Sequence, residues 1–275
     1  MSRWPSLFIS HGAPTYALAP GLAGAQLRAL GASLTKPQAV LVMSPHWITR
    51  GIGVCTQATT ETLHDFGGFP EPLYSLQYTP PGAPDFARRT LTLLQSAGID
   101  AKEVPRRPLD HGVWVPVSFL LPDANVPVFQ VSMPHDLTPA RAMQLGAAVR
   151  ALASEGVLIV GSGSLTHNLH EVQMESKEAA PYVSEFVGWV RAAVTSGDLA
   201  ALAYTMERAP HAQRAHPSLD HLLPLMFAAG AADLNEPNGV LEGGIEHGNL
   251  SMESYVFGSD VFENGSLKPT FPANN

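Results

Sequence analysis

The sequence predicts an α/β fold: a single domain with a mostly parallel central sheet and helices on both of its faces. Short and nearly continuous apolar runs alternate with longer segments of helical periodicity, which is typical of strands that are covered on both sides. The length of 275 residues suits one layered domain, predicted over residues 1–275. The 24 prolines are scattered along the chain, and this indicates ordered loops instead of one interdomain linker.

Four short apolar runs predict the central strands. Each run is rich in Val, Ile, Leu or Phe and is too short for a typical helix. The predicted strands cover residues 7–9, 39–43, 126–131 and 157–160. Pro45 is expected to end the second of them. The Gly/Ser-rich stretch 161–164 is interpreted as a tight strand exit, where glycine lets backbone pass close to a site.

Several longer segments carry the apolar spacing of amphipathic helices. The predicted helices cover residues 84–97, 139–155, 181–196 and 218–229, and a further apolar helix follows His111. Gly98 and Gly156 are expected to terminate the first two, and Thr138 is a candidate N-cap. Pro224 is expected to break or kink the last one.

The composition excludes several classes of protein. A chain that is 45% hydrophobic can build a core, so it is not intrinsically disordered. A formal charge of −8 argues against binding to nucleic acid, and no apolar run approaches the roughly 20 residues of a membrane helix. The single cysteine, Cys55, cannot form an internal disulfide, which fits a reducing cytoplasm. Oligomeric state cannot be read from the sequence.

Three histidines follow predicted strands in similar contexts: His11, His46 and His167. Ligands of open α/β sheets bind at the carboxyl ends of the strands, so these side chains are expected to face one cleft. Because the chain has only one cysteine, a metal ion in that cleft would be held by imidazole and carboxylate groups.

Two further histidines lie beside aspartates. His111 follows Asp110 at the start of an apolar run, where a catalytic role and a capping role are equally compatible with the sequence. His221 follows Asp220 near an apolar helix, and a buried imidazole there needs a partner, either a metal ion or a hydrogen bond. The remaining histidines have no distinctive spacing, and surface or structural positions are expected for His64, His135, His170, His211, His216 and His247.

Nucleophilic hydrolysis has weaker support. The stretch 161–164 resembles a nucleophile turn but lacks the Gly-x-Ser-x-Gly pattern, and it also lacks the lysine of a phosphate-binding P-loop. Cys55 lies in an apolar run, where nothing marks a reactive thiolate.

Six motifs occur in order along almost the whole chain. They are FISHGAP at 8–14, SPHW at 44–47, HDFGGFP at 64–70, DHGVW at 110–114, GSGSLTHNL at 161–169 and DHLLPL at 220–225. Together they resemble the 4,5-DOPA extradiol dioxygenase-like family of the class III extradiol ring-cleaving superfamily, which is related to the catalytic subunit of protocatechuate 4,5-dioxygenase. Each motif alone is weak, whereas six in the same order are specific.

The resemblance implies that His11, His46 and His221 bind a metal ion. It places His167 at the open side of the metal, as a catalytic acid and base or as a fourth ligand. It also implies that His111, the second catalytic residue, contacts substrate or dioxygen.

The same resemblance implies a substrate-binding wall. The motif at 64–70 supplies His64, Phe66 and Phe69 to this wall, and Trp47 of the second motif is expected to contact substrate as well. One departure concerns the metal. The wider superfamily uses two histidines and a glutamate, while the third position here is His221. A neutral ligand set leaves the metal one charge more positive, so Zn(II) becomes a stronger competitor for Fe(II).

The sequence therefore predicts a metal-dependent extradiol dioxygenase that inserts both atoms of O₂ into a catechol-type diol and gives a ring-opened semialdehyde. One divalent metal per chain is expected, Fe(II) for ring cleavage, with Zn(II) able to occupy the site. Two alternatives stay open at this point: a zinc-dependent hydrolase on the same scaffold, and a non-enzymatic metal-binding relative.

Overall fold

The computed structural model describes residues 3–174, 176, 178–233 and 235–259, together with the backbone of 262–263 and 266–267. The strands are β1 (Ser6–Ser10), β2 (Ala39–Thr49), β3 (Ile52–Cys55), β4 (Ala101–Val104), β5 (Val128–Pro134), β6 (Val157–Gly163), β7 (Gly239–Leu241), β8 (Ile245–Glu246), β9 (Leu250–Ser251), β10 (Ser254–Phe257), β11 (Phe262–Glu263) and β12 (Ser266–Leu267).

Helices connect most of the strands, and two short 3₁₀ helices lie at Pro14–Ala17 and Leu169–Glu171. The α-helices are α1 (Gly21–Ser33), α2 (Pro72–Ser75), α3 (Pro84–Ser96), α4 (His111–Leu120), α5 (Pro139–Val149), α6 (Ala151–Ser154), α7 (Pro181–Thr195), α8 (Leu199–Leu202), α9 (Thr205–Arg208), α10 (Ala212–Ala215) and α11 (Leu223–Ala231).

An eight-stranded sheet forms the centre, in the order β4-β3-β5-β2-β6-β1-β10-β7. Strands β5, β2, β6 and β1 pair in parallel, whereas β10 is antiparallel to β1 and β3 is antiparallel to β5. Neighbouring residues of β2 point into different cores: Leu41 packs on one face of the sheet and Val40 on the other. The predicted α/β fold with a mostly parallel, doubly covered sheet is confirmed.

The parallel registers bring the carboxyl ends of three strands to one edge of the sheet. Ser10, the last residue of β1, pairs with Gly163 at the end of β6. Met43 of β2 pairs with Gly161 of the same strand. The segments that follow these positions therefore emerge side by side, as the sequence predicts.

The expectation that Pro45 ends the second strand is wrong. Strand β2 continues to Thr49, with a shift of register against β5 between Met43 and Ile48. A proline is tolerated at such a bulge because the ladder of hydrogen bonds is interrupted there.

The predicted helix over 139–155 is two helices. Thr138 caps α5 as expected, since its hydroxyl accepts a hydrogen bond from the backbone N–H of Arg141 at 3.3 Å. At Arg150 the backbone N–H bonds to the carbonyl of Ala147, three residues back, at 3.3 Å. This tighter bonding pattern ends α5 and begins the short α6.

The last predicted helix, over 218–229, begins only at Leu223. Pro224 lies in the first turn of α11, where its missing N–H needs no partner, so it does not kink the helix. Residues 218–222 form bends and turns instead, and this leaves His221 outside the helix. The predicted helices over 84–97 and 181–196, and the one that follows His111, are confirmed as α3, α7 and α4.

Within the described part of the chain, no helix combines the length and the hydropathy needed to cross a membrane. The predicted single domain over 1–275 extends into residues 260–275, most of which lie outside the described residues, so its boundary stays a prediction. The cytoplasmic location also stays a prediction.

Candidate metal centre

Four imidazole rings meet at the carboxyl edge of the sheet. The ring centroids of His11 and His46 are 5.1 Å apart, and the His221 centroid is 5.3 Å from each of them. The ring of His111 lies 4.1 Å from that of His46. One possible ligand atom from each of His11, His46 and His221 lies within 4.8 Å of the other two. These three side chains can therefore reach a single ion.

Two glycines allow these segments to approach each other. A Cβ atom on Gly163 would lie 2.2 Å from the carbonyl oxygen of His221, so only glycine lets the His221 turn pass this close to β6. A Cβ atom on Gly112 would lie 2.6 Å from the hydroxyl oxygen of Ser44 and 3.0 Å from a ring carbon of His46. The close backbone approach expected at 161–164 is present, although Gly163 belongs to β6 and not to a turn.

The hydrogen bonds of His11 fix its tautomer. Ser162 donates its hydroxyl proton to the carbonyl of Gly112, so its oxygen must accept from His11 Nδ1–H, at 2.9 Å. The Nε2 atom of His11 then keeps its lone pair and points at Nε2 of His46, 3.2 Å away. An imidazole with a bound Nδ1–H and a free Nε2 lone pair can serve as a metal ligand.

His221 is oriented by its neighbour in the sequence. Its Nδ1–H donates to Oδ2 of Asp220 at 2.6 Å, which leaves the Nε2 lone pair available. Burial would raise the pKa of Asp220, but hydrogen bonds, chiefly the one from His221, outweigh burial and hold the pKa well below its usual range. A carboxylate that holds the remote N–H of a ligating histidine is a common feature of metal sites.

Asp65 lies between His46 and His111. Its Oδ1 accepts from both the backbone N–H and the Nδ1–H of His111, at 2.9 and 3.0 Å. Its Oδ2 is 3.6 Å from Nδ1 of His46. Burial opposes ionisation of Asp65, but hydrogen bonds and charge from His111 lower the pKa to about 2. Asp65 thus orients His111 by hydrogen bonds and places a carboxylate charge beside His46.

Burial keeps two of the candidate ligands, His11 and His46, neutral. Desolvation, reinforced by the neighbouring imidazoles, holds the pKa of His11 well below its usual value and lowers the pKa of His46 to about 3. Metal ligands must be deprotonated, so these rings need not lose a proton to bind an ion near pH 7. The Nε2 atoms of His11 and His46 converge, and acceptors fix the Nδ1–H groups of His11 and His221, which fits a divalent transition metal.

His167 stacks on His221 and not on the other two candidate ligands. The two ring centroids are 3.5 Å apart and the planes are 10° from parallel. The backbone N–H of His167 bonds to the carbonyl of Ala215 at 2.9 Å, which fixes the loop after β6. Burial, reinforced by the neighbouring His221, lowers the pKa of His167 to about 3. His167 is therefore a neutral base beside the candidate metal ligands.

An aromatic wall stands next to His111. The ring of Phe66 is 5.7 Å from the ring of His111, 5.5 Å from that of Phe69 and 5.4 Å from that of Tyr74. The ring of His64 lies 5.7 Å from Phe66, and its Nε2–H donates to the carbonyl of Leu76 at 3.0 Å. Of the expected substrate-binding residues, His64, Phe66 and Phe69 thus form one cluster adjoining the histidine site.

Trp47 is placed differently. It follows His46 in β2 and packs toward β3, where a Cβ atom on Gly53 would be 3.3 Å from the indole ring. The guanidinium carbon of Arg107 lies 5.8 Å from the centre of the indole. Contact between Trp47 and substrate remains a prediction, which this placement does not favour.

Sequence reasoning assigned no role to several residues that hold the site together. Asp65, Asp220 and Ser162 each bond to the Nδ1 side of an imidazole. All three lie inside the matched motifs, but only Asp220 is adjacent in the sequence to the histidine that it holds. The histidines held by Asp65 and Ser162 are distant in the chain, so spacing does not identify them.

Comparison with known proteins supports the family resemblance. A family model described as the catalytic LigB subunit of aromatic ring-opening dioxygenase matches residues 7–258. A protein of Escherichia coli K12 named 4,5-DOPA dioxygenase extradiol is 35% identical over 94% of this chain and 96% of its own length. A protein of Beta vulgaris with the same name is 36% identical over 92% and 96%.

The fold agrees with a solved structure. The crystal structure of an uncharacterized Escherichia coli K12 protein superposes with a TM-score of 0.76 at 32% identity, covering 93% of this chain and 100% of that one. The chain belongs to the LigB family of aromatic ring-opening dioxygenases. It is accordingly an enzyme, an oxidoreductase of the extradiol class, and its class implies an aromatic substrate and O₂.

Proposed function

We propose that this enzyme cleaves the ring of a catechol-type substrate with Fe(II) held by His11, His46 and His221. The observation that carries the proposal is the convergence of the three imidazoles, whose candidate ligand atoms lie within 4.8 Å of one another. Two of them direct Nδ1–H to a fixed oxygen, on Ser162 or Asp220, and the Nε2 atoms of His11 and His46 converge. Three protein ligands leave coordination positions open, as oxygenase chemistry requires.

The metal would supply the chemistry that no side chain can. Fe(II), when bound, lowers the pKa of a coordinated phenol and allows electron density to pass from the catecholate to triplet dioxygen. The residues of this chain do the rest. They orient the diol, hold the ligands neutral and move protons.

His167 is the proposed acid and base. As a neutral ring stacked on His221, it stands beside the proposed ligand set and has a nitrogen free to accept a phenolic proton from the bound diol. It returns the proton when the ring opens. The Nε2 atom of His111 faces away from Asp65, which binds its Nδ1, and is proposed to hydrogen-bond substrate or dioxygen.

The aromatic wall favours a planar substrate. Phe66 and Phe69 present ring edges and faces next to His111, and the ring of His64 packs nearly perpendicular to that of Phe66. Aromatic side chains gain from stacking on a catechol ring. The relatives named for DOPA make a DOPA-like catechol the first substrate to try, with unsubstituted catechol beside it.

The test is anaerobic reconstitution with Fe(II), followed by catechol or DOPA and air in an oxygen electrode. We expect oxygen uptake together with a yellow ring-opened semialdehyde, in equal molar amounts. A metal-loaded protein that consumes no oxygen with any of several catechols would refute the proposal.

A zinc-dependent hydrolase is the second candidate, and the neutral ligand set favours it. Three histidines without a glutamate suit Zn(II), which in such sites lowers the pKa of bound water. This candidate predicts turnover of an ester substrate with Zn(II) and no dependence on oxygen. Elemental analysis of the purified protein, combined with the oxygen electrode, separates it from the dioxygenase.

A further inference from the structure

The segment that carries His46 lies outside the sheet ladders on both of its sides. In the described registers, β2 pairs with β6 only as far as Met43, and it resumes pairing with β5 at Ile48. Residues 44–47 therefore bulge between these points, and the ladders do not fix their backbone. A candidate metal ligand on such a segment needs some other restraint.

Arg107 and Asp110 supply that restraint. The Nη2 atom of Arg107 donates to the backbone carbonyl of His46 at 2.8 Å. On the other side, the Ser44 hydroxyl donates to Oδ1 of Asp110 at 2.7 Å, and its oxygen lies 3.3 Å from the backbone nitrogen of His46. The bulge is thus held before and after its histidine.

The two groups also face each other. The Nη2 atom of Arg107 is 3.6 Å from Oδ2 of Asp110, and the Asp110 side chain is fully buried. Asp110 is also the N-cap position of α4, whose first residue is His111. The Arg107–Asp110 pair therefore connects the backbone of His46 to the helix that presents His111.

The backbone of Arg107 is itself anchored. The side-chain amide of Gln57 accepts from its N–H at 3.0 Å and donates to its carbonyl at 2.7 Å. Gln130, in β5, donates to the same carbonyl at 3.2 Å. The guanidinium is therefore attached to a backbone position that two glutamine side chains hold by hydrogen bonds.

We infer that Arg107 and Asp110 are positioning residues that set the orientation of His46 in the metal centre and couple it to His111. Stability alone is a poor explanation for this pair, because a buried ion pair commonly gives no more stability than apolar side chains of the same volume. Oδ2 of Asp110 and Nε of Arg107 are buried without a hydrogen bond among the described residues. The inference rests on the proposed ligation by His46.

The test uses the full-length apo protein titrated with Co(II), whose d–d absorption bands report ligand geometry. The variants are Arg107→Gln and Asp110→Asn, and the matched control is Arg106→Gln, since the Arg106 side chain is 71% exposed and pairs with Glu61. We expect Co(II) affinity to fall about 10-fold or more in the two variants, with shifted bands at saturation. The control should match the wild type.

A second control separates positioning from general destabilisation. Leu94→Ala opens the core under α3, away from the histidines, and should lower the melting temperature without moving the Co(II) bands. Arg107→Lys keeps the charge but not the planar fork, so it should shift the bands as Arg107→Gln does. If Arg107→Gln does not fold, Asp110→Asn decides the question.

The outcomes are distinct. Wild-type bands and affinity in both Arg107→Gln and Asp110→Asn would overturn the positioning role and leave the metal centre standing. A wild-type protein that gives no Co(II) bands would overturn the proposed metal centre, and the positioning role with it.

Discussion

The imidazole of His167 lies flat against that of His221, with 3.5 Å between the ring centroids. His221 is itself held by Asp220 on its Nδ1 side. His167 therefore has a fixed position next to the ligand set, although its nitrogens group with Asp220 and His221 and not with His11 and His46. The residue proposed to transfer protons is therefore distinct from the three residues proposed to bind the metal.

His167→Ala should retain metal and lose turnover. Positioned proton transfer contributes about 10²–10⁴ in rate, so kcat should fall by that factor. His46→Ala, in contrast, should lose the metal. Metal content by elemental analysis and oxygen uptake, measured on the same preparations, check both statements. If His167→Ala emptied the site as completely as His46→Ala, His167 would have to be reassigned as a ligand.

Asp220→Ala should weaken metal binding without emptying the site. Removal of a carboxylate that orients a ligating histidine lowers metal affinity by about 10–100-fold. A metal-competition titration measures the change, with Asp85→Ala as the control because the Asp85 side chain is 97% exposed on α3. Equal affinities in the two variants would contradict the orienting role of Asp220.

Gly163→Ala should damage the site through the backbone. The new methyl group would lie 2.2 Å from the carbonyl oxygen of His221, so either the His221 turn or β6 must move. We expect a loss of about 1–3 kcal/mol in the free energy of unfolding, and weaker metal binding. Gly188→Ala, in α7, meets nothing within 4 Å and should be neutral or stabilising by up to about 1 kcal/mol. Urea unfolding of the apo proteins measures the stability of both variants, and a metal-competition titration measures the metal affinity.

The buried His216 should make stability depend on pH. Burial lowers its pKa to about 4, from 6.5 in a model peptide, while Nε2–H donates to the carbonyl of Leu165 at 2.9 Å. The unfolded chain then binds a proton more readily, so stability is complete above pH 6.5 and falls as the pH drops toward 4.

The comparison of unfolding free energies at pH 7.5 and pH 5 isolates this effect. His216→Gln can keep a donor near Leu165 but does not titrate. The wild-type apo protein should therefore lose more stability between the two pH values than His216→Gln does. Parallel losses would show that other groups carry the dependence.

The fold was predictable where local pattern and final structure agree. Continuous apolar runs indicated β1, β2, β5 and β6, because these strands are covered on both faces. Strand β4 was not predictable, since Ala101–Val104 contains Lys102 and Glu103 at an exposed edge and carries no apolar signal. The continuation of β2 past Pro45 was also missed, because proline usually ends a strand and the interruption of the ladder that tolerates it here is not visible in the sequence.

The histidines of the site were predictable, while their supports were not. His11 and His46 follow apolar runs, and the rule that ligands collect at strand ends predicts that they meet. The pairing of Asp65 with His111 joins residues 46 positions apart, and that of Ser162 with His11 joins residues 151 apart. Such pairings depend on the folded backbone, so no local spacing encodes them.

The three proposed ligands come from the beginning, the first quarter and the last quarter of the chain. An ion held by His11, His46 and His221 would act as a cross-link that closes two long loops, and it would bind the native state far better than the unfolded chain. Thermal resistance of this protein should therefore depend on how much metal the surrounding solution provides.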